Sequence, residues 1–85
     1  MSDKTEAKVH RAIAAAISSA AAKDIRPDMS LRLDLHIDSV GLMTLAFLVE
    51  QETGIDAFSR VQEFVAAESV ADIVAIVRRA QGLMV

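Results

Sequence analysis

The residues with the clearest potential for chemistry are an adjacent aspartate and serine, Asp38 and Ser39, placed directly before an apolar run. Of the ten residues Val40 to Val49, only Gly41 and Thr44 are not apolar. Capping residues before such a run predict a helix that begins at Ser39 or Val40. A serine on the first turn holds its hydroxyl where unpaired N–H groups and the helix dipole favour an anionic group such as phosphate. Ser39 is therefore a candidate site.

Around this pair, a leucine-rich loop, then Asp-Ser and an aliphatic residue, precede an amphipathic helix; the residues of this pattern are Leu31, Asp34, Leu35, Asp38, Ser39 and Val40. The pattern resembles the phosphopantetheine attachment site of acyl and peptidyl carrier proteins. The length and the predicted order of helices extend the resemblance over the whole chain. Two residues depart from it. His36 stands where the family commonly has glycine and Val40 where it commonly has leucine, which disfavours the standard fatty-acid branch.

The resemblance implies a carrier and not an enzyme. A holo-carrier-protein synthase, which is a phosphopantetheinyl transferase, would move 4'-phosphopantetheine from coenzyme A to the Ser39 hydroxyl. An activating ligase would load an acyl or aminoacyl group as a thioester on the arm, and acyl-transfer or synthase enzymes would use it. Asp38 would help to place the transferase's metal-bound cofactor, would cap the helix, or would do both. Fatty-acid, polyketide, aminoacyl and specialised lipid pathways all remain open.

The composition predicts one all-α domain over residues 1–85, a small four-helix bundle with three longer helices and one short helix. Apolar residues form 53% of the chain and aromatic residues 4%, so the core must be mainly aliphatic. One proline and three glycines leave room for about four helices, and no run shows a convincing strand period.

Cysteine is absent, which excludes disulfides, a thiolate nucleophile and a Cys-type zinc site. The two histidines, His10 and His36, lie too far apart for a recognised metal-ligand spacing, and His10 is expected at the surface. No base is identifiable beside a nucleophile. We therefore expect no metal site, no catalytic residue and a cytoplasmic protein.

Charge is unevenly distributed along the chain. Residues 1–37 carry six Lys/Arg and five Asp/Glu, whereas residues 38–72 carry seven Asp/Glu and Arg60 alone. An acidic half disfavours nucleic acid and favours partners with basic surfaces, although ordinary solubilising charge explains it equally well. The charged start is neither a signal nor a transit peptide, and no apolar window is long enough to cross a bilayer. A monomer without membrane association is expected.

The first helix is predicted from Asp3 to Ala22, with Asp3 and Glu6 spaced as a capping box. A long connection, residues 23–37, follows, and Pro27 stops any continuing helix there. Five apolar residues alternate with polar ones in it: Met29, Leu31, Leu33, Leu35 and Ile37. An isolated strand would have no partner, so we expect a loop that lies across the bundle and inserts these side chains into the core. Asp34 is either a solvated charge or, as we favour, an acceptor for backbone N–H groups of the turn.

The second helix is predicted to end at Thr53, with Gly54 as its stop. Its core stripe contains Leu42, Leu45, Ala46, Val49 and Thr53, and its second stripe contains Val40, Met43, Phe47 and Glu50. The second stripe indicates either a deeply buried helix or, because it adjoins Ser39, a surface where partner enzymes dock, with Glu50 and Glu52 supplying flanking charge.

A short helix is predicted from Val61 to Ala67. A last helix begins after the capping-box pair Ser69 and Asp72 and ends near Ala80. The alternative function is a small helical interaction module without a prosthetic group, in which Ser39 merely caps the second helix and Met43 and Phe47 contact a partner.

Overall fold

Four helices form the part of the chain that the computed structural model describes, residues 4–17 and 24–82. They are α1 (Thr5–Ile17), α2 (Ser39–Thr53), α3 (Val61–Ala66) and α4 (Val70–Gln81), with a 3-10 turn at Phe58–Arg60 before α3. The described residues contain no strand, and their one β-bridge is isolated. The predicted four-helix class, with its long connection between the first two helices, is confirmed.

Helix α1 packs against both α2 and α4. Its core-facing residues Val9, Ala12 and Ile13 are buried. Asp3 of the predicted capping box, and the predicted helical residues after 17, lie outside the described residues. His10, expected at the surface, is half-buried. Its Nε2 is shielded from solvent and has no hydrogen-bond partner within the described residues.

The α1–α2 connection is held by backbone hydrogen bonds to the junction of α3 and α4. The Leu31 N–H donates to the Glu68 carbonyl at 2.9 Å, and the Val70 N–H donates to the Met29 carbonyl at 3.0 Å. In a third bond, the Ala71 N–H donates to the Pro27 carbonyl at 2.9 Å. Leu31 and Ile37 are buried, as predicted. This connection is therefore anchored at both backbone and side chains, and it fixes where α2 begins.

The prediction that Leu33 inserts into the core is wrong, because its side chain is 80% exposed. The N–H groups of Asp34 and Leu35 both donate to the Ser30 carbonyl, at 3.0 and 3.1 Å, so the chain turns here and alternate residues do not share a face. The favoured role of Asp34 is confirmed, because its Oδ2 accepts from the Ser30 N–H at 2.7 Å.

The core stripe of α2 is buried as predicted, apart from the partly buried Thr53. Around it, the largest fully buried side chains come from every helix and from the connection: Phe64, Ile13, Leu31, Leu42, Leu45 and Ile73. Gly54 has a left-handed φ of 80° and its N–H donates to the Glu50 carbonyl at 2.8 Å, so it ends α2 as predicted. No helix within the described ranges is long and apolar enough to span a membrane.

An ion-pair cluster joins α3 to α4. The Glu63 carboxylate accepts from Arg79 on α4 and from Arg60 before α3, both at 3.1 Å. The hydrogen bond from Arg79 is the largest cause that lowers the pKa of Glu63, and Arg60 adds to it. The short helix therefore has a defined orientation despite having fewer than two turns.

The predicted capping box at α4 is confirmed. Ser69 Oγ accepts from the Asp72 N–H at 3.2 Å, and Asp72 Oδ2 accepts from the N–H groups of Ser69 and Glu68 at 3.1 and 2.9 Å. The bond from the Glu68 N–H is the largest cause that lowers the pKa of Asp72. The helix ends at Gln81, close to the predicted position.

We expect Asp72→Ala to lower the free energy of unfolding by about 1 kcal/mol at pH 7. The native pKa is lowered, so the stabilisation is fully present above the unfolded-state pKa of about 4 and disappears as the pH falls through the native pKa. Urea unfolding at about pH 7 and about pH 3 should show the gap between wild type and variant closing in acid.

Glu68→Ala is the matched control for this prediction. It removes an adjacent exposed carboxylate that accepts no hydrogen bond among the described residues, so its effect should stay within about 0.5 kcal/mol. A gap for Asp72→Ala that is equal at both pH values would contradict the assigned role of the carboxylate.

Candidate functional site

Asp38 caps the start of α2. Its backbone is extended, with φ −90° and ψ −174°, and its Oδ1 accepts from the Gly41 N–H at 2.8 Å. Its carbonyl accepts from the Leu42 N–H at 2.8 Å, which is the first hydrogen bond of the helix. Its Oδ2 accepts no hydrogen bond within the described residues. One carboxylate oxygen therefore stabilises the helix, and the other is free to contact a partner.

Ser39 is the first residue of α2 and is exposed. Its hydroxyl makes no hydrogen bond among the described residues, so no histidine or carboxylate of this part of the chain activates it as a nucleophile. It lies at the positive end of the helix dipole, where a phosphate group is favoured. The hydroxyl is thus accessible to a partner.

Gly41 is a residue whose role the sequence prediction missed. A Cβ at this position would lie 2.9 Å from Ile37 Cγ2 and 3.3 Å from Asp38 Oδ1. Since Ile37 is buried, a larger residue would push the first turn away from the connection or disturb the cap. The sequence does contain a signal for this close approach, which is a glycine inside the first turn of a predicted helix.

His36 is exposed and has a φ of +58°, the left-handed region that glycine adopts without strain. Within the described residues, it is the one non-glycine residue with positive φ. The prediction that it stands in for a loop glycine is supported by this geometry. Its lack of a catalytic role stays a prediction.

The second stripe of α2 is largely exposed. The exposed fraction is 71% for Val40, 51% for Met43 and 44% for Phe47. Phe58 from the 3-10 turn, 50% exposed, places its ring centroid 6.2 Å from that of Phe47 in a tilted arrangement typical of aromatic pairs. We call these four residues the apolar patch. Its fourth member comes from a separate element, so the periodicity of α2 gave no sign of it.

The two acidic residues expected to flank this surface are both engaged within the protein. Glu50 Oε1 accepts from the Ala57 N–H at 3.1 Å, which holds the segment before the 3-10 turn against α2. Glu52 pairs with Arg11 of α1 at 3.3 Å. Both residues therefore act in packing, and whether they also meet a partner stays a prediction.

The described residues contain no group of His, Asp or Glu side chains that could hold a metal ion. A family model for the phosphopantetheine attachment site matches residues 9–77, which is most of the chain and includes the whole site. The chain belongs to the phosphopantetheine attachment site family. No curated protein sequence matches it.

The chain is consequently a carrier protein that bears a 4'-phosphopantetheine arm and is not itself catalytic. Its partners are a phosphopantetheinyl transferase, which attaches the arm, and enzymes of the pathway that uses it. The site fits such an arm, because it offers an exposed hydroxyl at a helix N-terminus. The family match decides against the alternative of an interaction module without a prosthetic group.

For the loop, we expect His36→Gly to raise the free energy of unfolding by about 1 kcal/mol, because glycine relieves the left-handed strain. Thermal and urea unfolding measure the change. His36→Ala is the control, since it removes the imidazole but keeps the Cβ that causes the strain. Equal stabilisation by both variants would show that the imidazole, and not the backbone conformation, destabilises the folded protein at this position.

Proposed function

We propose that Ser39 is the residue that carries the phosphopantetheine arm. The strongest support is that the Ser39 hydroxyl makes no hydrogen bond among the described residues, whereas the hydroxyls of the other described serines do. Ser30 Oγ accepts from the Leu33 N–H, Ser59 Oγ donates to the Asp56 carbonyl and Ser69 Oγ caps α4. Ser39 alone among the described serines combines an exposed position with a hydroxyl that has no internal partner.

The reaction at Ser39 needs little from this chain. Ser39 Oγ attacks the phosphorus of coenzyme A that carries the pantetheine, the P–O bond to the second phosphate breaks, and adenosine 3',5'-bisphosphate leaves. The hydroxyl proton passes to a base of the transferase, and the dipole of α2 stabilises the attached phosphate. Asp38 keeps the first turn in place through Oδ1. Its free Oδ2 is available to help place the metal-bound coenzyme A in the transferase.

The loaded carrier holds an acyl or aminoacyl group as a thioester, and the sulfur must come from the arm because the chain has no cysteine. The residues from Ser39 to Val49 carry no charge. A bulk fatty-acid carrier is the less favoured assignment for such a helix, and we favour a dedicated pathway. An activating ligase loads the holo form, and assays with candidate ligases test which cargo it takes.

Partner enzymes approach the arm over the second stripe of α2. Val40 follows Ser39 directly, and Met43 and Phe47 continue the exposed surface along the helix. Met43 suits a surface that meets several partners, because its thioether side chain adapts to different shapes.

Ser39→Ala tests the attachment site. The variant should fold with a stability within about 0.5 kcal/mol of wild type, because Asp38 and not Ser39 provides the cap. Intact-mass analysis after incubation with coenzyme A and a broad-specificity phosphopantetheinyl transferase should show one added arm on wild type and none on the variant. Ser59→Ala, at an exposed serine, should still accept the arm. Full modification of Ser39→Ala would sink the assignment.

Asp38→Asn separates capping from placement of the cofactor. Asparagine caps a helix about as well as aspartate, so the stability should be nearly unchanged. Loss of the carboxylate charge should lower kcat/KM for arm transfer by about tenfold or more. Glu68→Gln removes an equal charge at the α3–α4 junction and should have no such effect. An unchanged rate for Asp38→Asn would mean that Asp38 is a cap only.

A further inference from the structure

A cleft of about 350 Å³ lies where the end of α1, the end of the α1–α2 connection and the first turns of α2 meet. We call it the α1–α2 cleft. Its lining comes from all three segments and includes Ile17, Leu35, Ile37, Gly41 and Thr44. No residue of the apolar patch lines it, so the patch and the cleft are separate surfaces. The start of α2 therefore has a concave site on the side that faces α1.

Gly41 keeps the α2 wall of this cleft free of a side chain. A Cβ there would lie 2.9 Å from Ile37 Cγ2 and 3.3 Å from Asp38 Oδ1. A larger residue would therefore fill this end of the cleft or displace the cap of α2. The cleft extends to Asp38, the neighbour of Ser39, because the first turn of α2 contains a glycine.

Two polar side chains at the cleft have unused hydrogen-bonding groups. His36 and Asp38 both line the cleft and both are exposed, so they lie where it opens to solvent. The His36 imidazole makes no hydrogen bond among the described residues, although its backbone holds the strained, left-handed φ of +58°. Asp38 Oδ2 is free as well. Strained backbone conformations cluster at functional sites, so the placement of this imidazole points to a ligand.

The group that must stay near this cleft is the base of the attached arm. In 4'-phosphopantetheine, the phosphate is followed within a few bonds by a carbon with two methyl groups and then by a carbon with a hydroxyl group. Attachment of the phosphate to Ser39 Oγ keeps these groups beside the first turn of α2 at a high effective concentration, so weak contacts are enough to hold them. A concave apolar site covers the methyl groups on several sides, which the exposed face of one helix does not.

The polar groups of the arm also match the cleft. The phosphate is an anionic acceptor for the N–H of an imidazole, and the hydroxyl is a donor for the free Oδ2 of Asp38. The donor on His36 offsets the repulsion between the phosphate and the neighbouring carboxylate of Asp38.

We propose that the α1–α2 cleft binds the base of the attached arm, with its apolar lining covering the two methyl groups and the His36 imidazole donating a hydrogen bond to the phosphate. The proposal rests on Ser39 as the attachment site. It makes His36 a binding residue of the loaded form, without a part in the transfer reaction. The base of the arm then lies on the α1 side of α2, away from the apolar patch.

Nuclear magnetic resonance of the holo protein tests the proposal. The holo form is made from coenzyme A with a broad-specificity phosphopantetheinyl transferase, and intact mass confirms that one arm is attached. Nuclear Overhauser effects should join the two methyl groups of the arm to the methyl groups of Ile17 and Leu35. The Met43 methyl, on the apolar patch, is the internal control and should show none. Absence of contacts to Ile17 and Leu35 would overturn the proposal.

Thr44→Leu places a larger side chain in the cleft at an exposed position. This variant should still accept one arm, but the contacts between the arm and Leu35 should disappear. Gln51→Leu is the matched control, because it adds a leucine at an exposed position of α2 outside the cleft, and it should keep these contacts. Unchanged contacts in Thr44→Leu would contradict the proposal. If Thr44→Leu does not fold, the wild-type spectrum decides.

Thermal melting gives a second measurement. Attachment of the arm should raise the Tm of wild type by about 3 °C, since a group that binds only the folded state stabilises it. The rise should be about half as large or less in His36→Gly, which lacks the donor to the phosphate, and it should be complete in Gln51→Leu. An equal rise in wild type and His36→Gly would overturn the role of His36. These failures leave one arm on Ser39, whereas absence of any arm on wild type refutes the attachment site itself.

Discussion

The position of the α2 N-terminus depends on the attachment of the α1–α2 connection to the junction of α3 and α4. The Leu31 N–H and the Met29 carbonyl hydrogen-bond to the backbone of this junction. The buried side chains of Leu31 and Ile37 hold the connection against the core. Without these contacts, a connection of this length would move and carry the start of α2 with it. The exposed hydroxyl of Ser39 thus has a fixed place because residues far from it in sequence are bonded to one another.

Helix α2 divides its surface between stability and recognition. Leu42, Leu45 and Val49 are fully buried and contribute to the core, whereas Met43 and Phe47 on the next face remain about half exposed. Burying a large apolar side chain contributes about 1.5–3 kcal/mol, so leaving two of them at the surface forgoes stabilisation that a small domain could use. Such exposure is consistent with a face that other proteins cover.

Three carboxylates of the described residues hold separate elements together. Glu50 stabilises the backbone before the 3-10 turn, Glu52 joins α2 to α1, and Glu63 joins α3 to α4. The ion pairs of Glu52 and Glu63 reduce the field that these two carboxylates present to an approaching partner. Glu50 keeps its charge, because a backbone N–H group carries no full positive charge to cancel it.

The sequence by itself determined the helices, the cap and the attachment motif, because these depend on periodicity and on residues a few positions apart: Asp38 before α2, Ser69 with Asp72, and Gly54 after Thr53. Tertiary structure decided the rest. The exposure of Leu33 results from a local turn that breaks the apparent alternation, and the pairing of Phe47 with Phe58 joins two elements. The engagement of Glu50 and Glu52 likewise depends on what packs beside them. A linear pattern reports which face of an element is apolar, but only the packed chain shows which neighbours cover that face and which charges are already paired.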